Sequence, residues 1–146
     1  SKVMISDFAD PKDLVKNVES ARVISKELNM KIKIRPHINE DGIKNPEYLI
    51  NEKLADLKNI QGLGGIKNGL DSSRKQQCEF TVFNLDAFES IKPEMVQNKL
   101  NGIYKLYGDK FSGQQMIFIY SGKAVKVSWK DVKTGKVTEL LKELQE

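Results

Sequence analysis

The sequence predicts a single α/β domain in which a mixed β-sheet is flanked by helices. The chain has 146 residues, which suits one domain with a core of its own. Hydrophobic residues make up 39% and charged residues 30% of the chain, a composition typical of a globular protein. Apolar residues recur at helical spacing in some stretches and alternate as in strands in others. We expect one domain over residues 1–146, with a core at about 10–130.

A helix is predicted near the start of the chain. Asp10 can cap it, and Pro11 suits its first turn. Apolar residues spaced three and four apart continue to about Met30, and we expect the helix to cover one face of the sheet with Glu19 at the edge of the buried stripe. That stripe comprises Leu14, Val18, Ala21, Ser25 and Leu28.

A β-hairpin is predicted at the centre of the chain. Lys31–Arg35 alternates as a strand with one buried face, and a polar loop follows at 39–44. Two apolar runs, Tyr48–Ile50 and Leu54–Leu57, then flank the dipeptide Asn51-Glu52, which predicts a two-residue turn.

The register of that hairpin places two acids opposite each other. Glu47 pairs with Asp56, and Lys58 lies on the same face because side chains alternate along a strand. Like charges in this position cost up to about 1 kcal/mol, so the pattern favours a pair of carboxylates that holds a cation. The alternative is a hairpin that slips by one residue and leaves Glu47 as ordinary surface charge.

The second half of the chain predicts the remaining elements. The glycine-rich stretch 61–69 indicates a mobile loop near the site, and a short basic helix follows from Asp71 or Ser72. The other predicted elements are an interior strand at Phe80–Leu85, a helix from Pro93 to Gly108, strands at Gln115–Tyr120 and Ala124–Trp129 joined by Ser121-Gly122, and a C-terminal helix bearing Val137, Leu140, Leu141 and Leu144.

Composition narrows the classes of function. The net charge of +4 favours an anionic partner. A single cysteine, Cys78, excludes an internal disulfide and a cysteine-based zinc site, and its place before an apolar strand predicts a buried thiol. A single histidine, His37, argues against a histidine-rich metal site. The longest apolar run, Met116–Tyr120, is far shorter than the roughly 20 residues that span a bilayer, so we expect no membrane span.

Two short motifs carry a resemblance to known nucleases. Pro46-Glu47, followed nine positions later by Asp56-Leu57-Lys58, resembles the PD-(D/E)xK signature of restriction-endonuclease-like nucleases. The run Lys44–Asn51 is similar to the Asn-Pro-Asp-Tyr-Leu-Ile-type segment of the C-terminal toxin nucleases of bacterial contact-dependent growth inhibition proteins, several of which cleave tRNA. The pattern covers about residues 14–86 and departs from the family in Glu47, where Asp is more usual, and in Glu52, where turn glycine is common.

The resemblance implies a restriction-endonuclease-like core and a role for each motif residue. Glu47 and Asp56 would ligate Mg²⁺ or Mn²⁺, with Glu19 assisting directly or through water. Lys58 would steady the attacking water or the phosphate charge, and Lys75 on the following helix would contribute to catalysis. Side chains around the cleft would contact nucleic acid, although ordinary solubilising charge is the alternative for each of them. These are Lys33, Arg35, Lys44, Lys67, Arg74 and Gln76.

The resemblance also implies a biological setting. It indicates a toxin nuclease of interbacterial competition, with tRNA as the favoured substrate and DNA as a second option, neutralised by a cognate immunity protein. Such a toxin is exported as part of a larger bacterial protein and acts in the cytoplasm of the target cell. Two other functions stay open: a metal-independent RNase with His37 as general base, and a non-catalytic module that binds nucleic acid or protein on the same scaffold.

Overall fold

A mixed β-sheet organises the part of the chain that the structure, a computed structural model, describes: residues 3–7, 9, 14–37 and 45–146. Its seven strands lie in chain order from one edge to the other. They are β1 (Val3–Ile5), β2 (Ile32–Ile34), β3 (Tyr48–Ile50), β4 (Lys53–Asn59), β5 (Phe80–Asn84), β6 (Gln115–Tyr120) and β7 (Lys123–Val127). β4, β5 and β6 run parallel to one another, β1 runs parallel to β2, and the other neighbours are antiparallel.

Helices cover both faces of this sheet. They are α1 (Leu14–Leu28), α2 (Gly64–Lys75), α3 (Pro93–Tyr107), α4 (Trp129–Lys133) and α5 (Val137–Lys142). This arrangement confirms the predicted α/β fold with a mixed sheet and flanking helices. No helix in the described residues has the length and apolar character needed to cross a membrane. The predicted cap and first turn at Asp10 and Pro11, and the loop 39–44, lie outside the described residues.

Two apolar clusters lie on opposite faces of the sheet. On the α1 face, Ala21 and Ile24 pack in one cluster with Ala55 and Leu57 of β4. The other cluster joins α2, α3 and α5 to the opposite face and extends to Leu144. Since side chains alternate along a strand, Asp56 and Lys58 of β4 face α2.

The buried face of α1 is rotated from the predicted stripe. Its buried residues are Asn17, Ser20, Ala21 and Ile24, while Leu14, Val18, Ser25 and Leu28 are half-buried. Two hydrogen bonds connect this face to the sheet: the Tyr48 hydroxyl donates to the Asn17 backbone carbonyl at 2.7 Å, and Asn84 Nδ2 donates to Ser20 Oγ at 3.3 Å. Glu19 is consequently exposed.

The predicted mobile loop at 61–69 is wrong from Gly64 onward, because α2 begins there. Two of its glycines serve close packing. A Cβ on Gly65 would lie 2.6 Å from Ile60 Cγ2, and one on Gly69 would lie 2.7 Å from Phe83 Cε1 and 3.1 Å from Lys58 Cγ. The missing side chains therefore let α2 approach the sheet closely.

A third difference from the predicted elements lies after β7. That strand ends at Val127, whereas the alternating pattern predicted a strand to Trp129. Ser128 instead caps α4: its Oγ accepts from the Asp131 backbone N–H at 3.2 Å, and the Asp131 carboxylate accepts from the Ser128 N–H at 2.9 Å. This capping box stabilises a helix start where the apolar pattern continues as a strand. The three-residue β1 was not predicted either.

Candidate active site

The hairpin formed by β3 and β4 has the predicted register. Tyr48 pairs with Ala55 and Ile50 with Lys53 across the turn. Asn51 and Glu52 have φ values of 48° and 70°, as a two-residue type I′ turn requires. Asn51 is held from outside the turn, because its Oδ1 accepts from the Lys31 N–H at 2.9 Å and its own N–H donates to the Lys31 carbonyl at 2.8 Å. The slipped register is thereby excluded.

Glu47 lies immediately before β3 and turns its carboxyl group toward β4. Its Oε2 accepts a hydrogen bond of 3.0 Å from the Leu57 backbone N–H. Pro46 contributes no N–H to the ladder at this end, and its carbonyl accepts from Arg35 Nη1 at 3.0 Å. The Glu47 side chain thus binds the backbone of β4 at Leu57, just beyond the point where β3 begins.

Asp56 lies at the centre of a polar network between β4 and α2. It is buried, with 2% of its surface exposed. Its Oδ2 is 2.8 Å from Lys58 Nζ and accepts from Gln76 Nε2 at 3.2 Å. Ser72 Oγ accepts from Lys58 Nζ at 3.0 Å and from Gln76 Nε2 at 3.4 Å. Asp56, Lys58, Ser72 and Gln76 therefore fix one another.

The two acids interact directly. Burial, a hydrogen bond with Asp56 and the charge of Asp56 together raise the pKa of Glu47 to about 8, although the hydrogen bond from the Leu57 N–H opposes the shift. Carboxyl groups this close cannot both ionise freely in a buried setting, so the pair holds a proton near neutral pH. A cation is the alternative way to neutralise the same pair.

The donor set of this pair suits a small hard cation. Two carboxylates supply the oxygen ligands that Mg²⁺ and Mn²⁺ prefer, and Mg²⁺ commonly binds through one or two carboxylates while it keeps several waters. Across the described ranges, no three Asp, Glu, His or Cys residues come together in a cluster of metal-binding type. Glu47, Asp56 and solvent are therefore the ligands that this part of the chain offers.

The structure does not bring Glu19 to this pair. Glu19 is exposed on α1, which covers the face of the sheet opposite Asp56. It lines a separate cleft together with Asn59, Gln61 and Asn84. Its assistance to a metal stays a prediction.

The other predicted site residues differ in their surroundings. Lys75 and Arg74 are exposed at the end of α2, next to Gln76, and Lys33 is exposed on β2. Gln76 donates a hydrogen bond to Asp56, and Arg35 donates one to the Pro46 carbonyl, as described above. Lys67 pairs with Asp71 and lies over the Tyr107 ring, with its Nζ 5.2 Å from the ring centroid. Lys44 lies outside the described residues.

Sequence reasoning missed the part that Ser72 plays. From the sequence alone, Ser72 is only a possible start of the short basic helix, whereas in the structure it accepts hydrogen bonds from both Lys58 and Gln76. The available signal was the spacing of Ser72 and Gln76, which are four residues apart and share one helix face. The spacing is informative only once the start of α2 is known to be Gly64, because Ser72 then lies inside the helix.

The single cysteine and the single histidine of the sequence both lie in the described part of the chain. Cys78 is buried, as predicted, and burial together with the nearby carboxylates raises the pKa of its thiol to about 12. His37 is exposed just after β2. It lines a cavity of about 140 Å³ together with Arg35 and Glu47.

Comparisons with known proteins agree with this architecture. Residues 44–124 match the family described as the contact-dependent growth inhibition CdiA C-terminal domain. A similar solved structure is the "CdiA-CT/CdiI toxin and immunity complex from Burkholderia pseudomallei", with a TM-score of 0.56, 18% identity, and coverage of 88% of this chain and 96% of that chain. At that identity, the likeness shows a shared fold. No curated protein matches the sequence.

Proposed function

The chain belongs to the family of contact-dependent growth inhibition CdiA C-terminal domains, and on this premise we propose that it is a toxin nuclease that hydrolyses phosphodiester bonds with a divalent metal ion. One observation carries the proposal. The carboxyl groups of Glu47 and Asp56 interact across neighbouring strands, and Lys58 Nζ lies 2.8 Å from Asp56 Oδ2. Two acids and a lysine on one hairpin are the elements of the PD-(D/E)xK pattern.

The chemistry divides among these residues as follows. A bound Mg²⁺ or Mn²⁺ supplies charge neutralisation at the scissile phosphate and a more acidic water. Glu47 and Asp56 hold that ion, and the Leu57 N–H orients the Glu47 carboxylate. Lys58 keeps its ammonium group at the rim of the network, 27% exposed, where it meets the charge that develops on the phosphate.

Two basic residues at the end of α2 extend the site toward the substrate. Lys75 is exposed one residue before Gln76, which binds Asp56. In this proposal Lys75 takes part in catalysis and Arg74 contacts the phosphate backbone of the nucleic acid. Lys33, Arg35 and Lys67 are further candidates for such contacts.

The proposed substrate is RNA, with tRNA favoured, and DNA is the other outcome to test. The similar structure from Burkholderia pseudomallei is a toxin in complex with an immunity protein. We infer that this chain also has a cognate immunity protein and that a larger bacterial protein delivers it to the cytoplasm of a target cell. The net charge of +4 favours a polyanionic substrate.

The decisive experiment incubates the purified chain with total tRNA and with plasmid DNA, each with Mg²⁺, Mn²⁺ or EDTA. The variants are Glu47→Gln, Asp56→Asn and Lys58→Met, and the matched control is Glu52→Gln at the exposed hairpin tip. We expect metal-dependent cleavage that each site variant lowers by more than about 100-fold, since even the partners of metal ligands are worth 10–100-fold. Site variants that cleave as well as the parent would overturn the assignment. Binding of nucleic acid without cleavage under any condition would favour the non-catalytic module.

A second candidate is a metal-independent RNase. The observation that favours it is the small cavity shared by His37, Arg35 and Glu47, because an imidazole, a guanidinium and a carboxyl group with a pKa of about 8 can serve acid–base cleavage of RNA. Full activity in EDTA, lost in His37→Ala and retained in Asp56→Asn, would establish this mechanism in place of the first.

A further inference from the structure

A cleft of about 450 Å³ lies at the carboxyl ends of β4 and β5, between the sheet and α1. Its volume falls in the range of roughly 300–1,000 Å³ that is usual for ligand sites. Its polar lining comes from Lys16, Glu19, Ser20, Asn59, Gln61, Asn84 and Asp86. None of these residues belongs to the network around Asp56, so the cleft is distinct from the candidate active site.

One wall of the cleft is fixed by internal hydrogen bonds. Asn84 Oδ1 accepts from the Asp86 N–H at 2.8 Å, and Asn84 Nδ2 donates to Ser20 Oγ at 3.3 Å. Asp86 Oδ1 in turn accepts from the Ser121 N–H at 2.8 Å. These bonds hold the ends of β5 and β6 rigidly around the cleft.

Three other lining residues have polar side chains that are available to a ligand. Within the described part of the chain, no hydrogen bond or ion pair engages the side chains of Glu19, Asn59 or Gln61. The lining also includes the aliphatic side chains of Val23 and Ile119, which belong to the apolar cluster on the α1 face. The cleft thus combines apolar contact with amide donors and acceptors and a carboxylate acceptor.

A nucleobase has matching chemistry. Asn and Gln amides form paired hydrogen bonds with a base edge, and Glu or Asp accepts from an exocyclic amino group. Proteins read RNA mostly at unpaired bases, whose edges and faces are accessible. A phosphate group suits the cleft poorly, because Glu19 and Asp86 oppose the single cation Lys16 among its described lining residues.

The position of the cleft relates it to the candidate active site. Asn59 lies three residues beyond Asp56 on β4, about 10 Å along the strand. Lys58 and Asn59 are neighbours whose side chains point to opposite faces of the sheet. A nucleotide next to the scissile phosphate can therefore pass over the end of β4 and place its base in the cleft.

We propose that this cleft receives an unpaired nucleobase of the RNA substrate beside the scissile phosphate, and that Glu19, Asn59 and Gln61 contact its edge; the proposal rests on the proposed nuclease function. It makes the cleft a determinant of where the RNA is cut. It also gives Glu19 a substrate contact in place of a metal contact.

The first test measures binding without cleavage. The ¹⁵N-labelled chain in EDTA is titrated with the four ribonucleoside 5′-monophosphates, with inorganic phosphate as the matched probe. We expect at least one nucleotide, and not phosphate, to shift the side-chain amide signals of Asn59 and Gln61. Asn59→Ala and Gln61→Ala should each weaken that binding by about two- to tenfold, the value of one hydrogen bond. The control is Asn98→Ala, an exposed amide on α3.

The second test measures cleavage with the same variants. We expect Asn59→Ala and Gln61→Ala to raise KM more than they lower kcat and to change the distribution of cut sites in tRNA. Glu19→Gln should bind Mn²⁺ as tightly as Glu27→Gln, its control on the same helix. Mn²⁺ binding that falls about tenfold only in Glu19→Gln would return Glu19 to the metal and overturn its assignment.

The two proposals fail in distinguishable ways. If the parent cleaves nothing while a nucleotide shifts the amide signals, the nuclease proposal falls and the cleft remains a nucleobase site. If the parent cleaves, no nucleotide shifts the signals, and the Asn59 and Gln61 variants keep the parent's KM and cut sites, the cleft proposal is overturned.

Discussion

The Glu47 carboxyl group lies beside that of Asp56 because its Oε2 accepts a hydrogen bond of 3.0 Å from the Leu57 backbone N–H. This bond favours the charged form of Glu47, whereas burial and the Asp56 carboxyl group favour the neutral form. The second pair of effects is larger, since the pKa of Glu47 is raised to about 8. The hairpin therefore keeps an acid in a position that disfavours its charge until a cation or a proton neutralises it.

The first prediction concerns stability and pH in the absence of metal. The pKa of Glu47 rises from its ordinary value of 4.5 to about 8 on folding, so the folded chain binds a proton that the unfolded chain releases between these values. Stability should therefore fall as pH rises from about 4.5 to about 8, by up to about 5 kcal/mol in total. Urea denaturation in EDTA at about pH 5, 7 and 9 measures this loss.

The variant Glu47→Gln tests the cause of that loss. Its unfolding free energy should vary much less over the same pH interval, because the amide does not titrate. Glu52→Gln at the exposed hairpin tip should keep the parent's slope. Equal slopes in the parent and Glu47→Gln would show that another group is responsible.

The second prediction links metal affinity to the same proton. A cation that binds the Glu47–Asp56 pair must displace the proton that Glu47 holds below about pH 8. The affinity for Mn²⁺ should therefore rise about tenfold per pH unit toward pH 8 and then level off. Calorimetric titration in buffers of different ionisation enthalpy would show the released proton, and Asp56→Asn should remove the binding. An affinity that does not change with pH would place the metal elsewhere.

The third prediction uses two glycines in different helices. Gly69→Ala should destabilise the chain by about 1–3 kcal/mol, because the new Cβ meets Phe83 and Lys58 at 2.7 and 3.1 Å. Gly102→Ala in α3 is the matched control: beyond its neighbours in the same helix, no atom of the described residues lies within 4 Å of its new Cβ, so the helix should gain up to about 1 kcal/mol. Chemical denaturation measures both. A stabilised Gly69→Ala would show that α2 does not pack as closely as these distances indicate.

The sequence predicts elements whose partners are close in the chain better than elements whose partners are remote. The hairpin was predictable because its turn and its two apolar runs are adjacent in the chain, and the register of Tyr48 with Ala55 follows from them. The start of α2 was not predictable, because its glycines lower the local helix propensity. The partner that accounts for Gly69, Phe83, is remote in sequence.

The candidate site also has one part that the sequence predicts and one part that it does not. The pairing of Glu47 with Asp56 follows from strand alternation, which a sequence shows directly. The orientation of α1 does not, since it involves the bond from the Tyr48 hydroxyl on β3 to the Asn17 backbone carbonyl on α1, two residues that are remote in sequence. That bond belongs to the packing that leaves Glu19 exposed.

The last prediction concerns Ser72, whose hydroxyl accepts from Lys58 Nζ at 3.0 Å and from Gln76 Nε2 at 3.4 Å. In Ser72→Ala, Lys58 keeps only Asp56 as a partner within the network, so its ammonium group is held less firmly at the proposed phosphate position. We expect kcat for RNA cleavage to fall by about tenfold with little change in KM.

A conservative variant separates positioning from general damage. Ser72→Thr retains the hydroxyl group and should restore most of the activity, while thermal unfolding of both variants stays close to that of the parent. Ser25→Ala, a half-buried serine on α1, is the control for loss of a hydroxyl elsewhere. If Ser72→Ala cleaves at the parental rate, Asp56 alone positions Lys58, because the second acceptor would then contribute nothing to the orientation of the ammonium group.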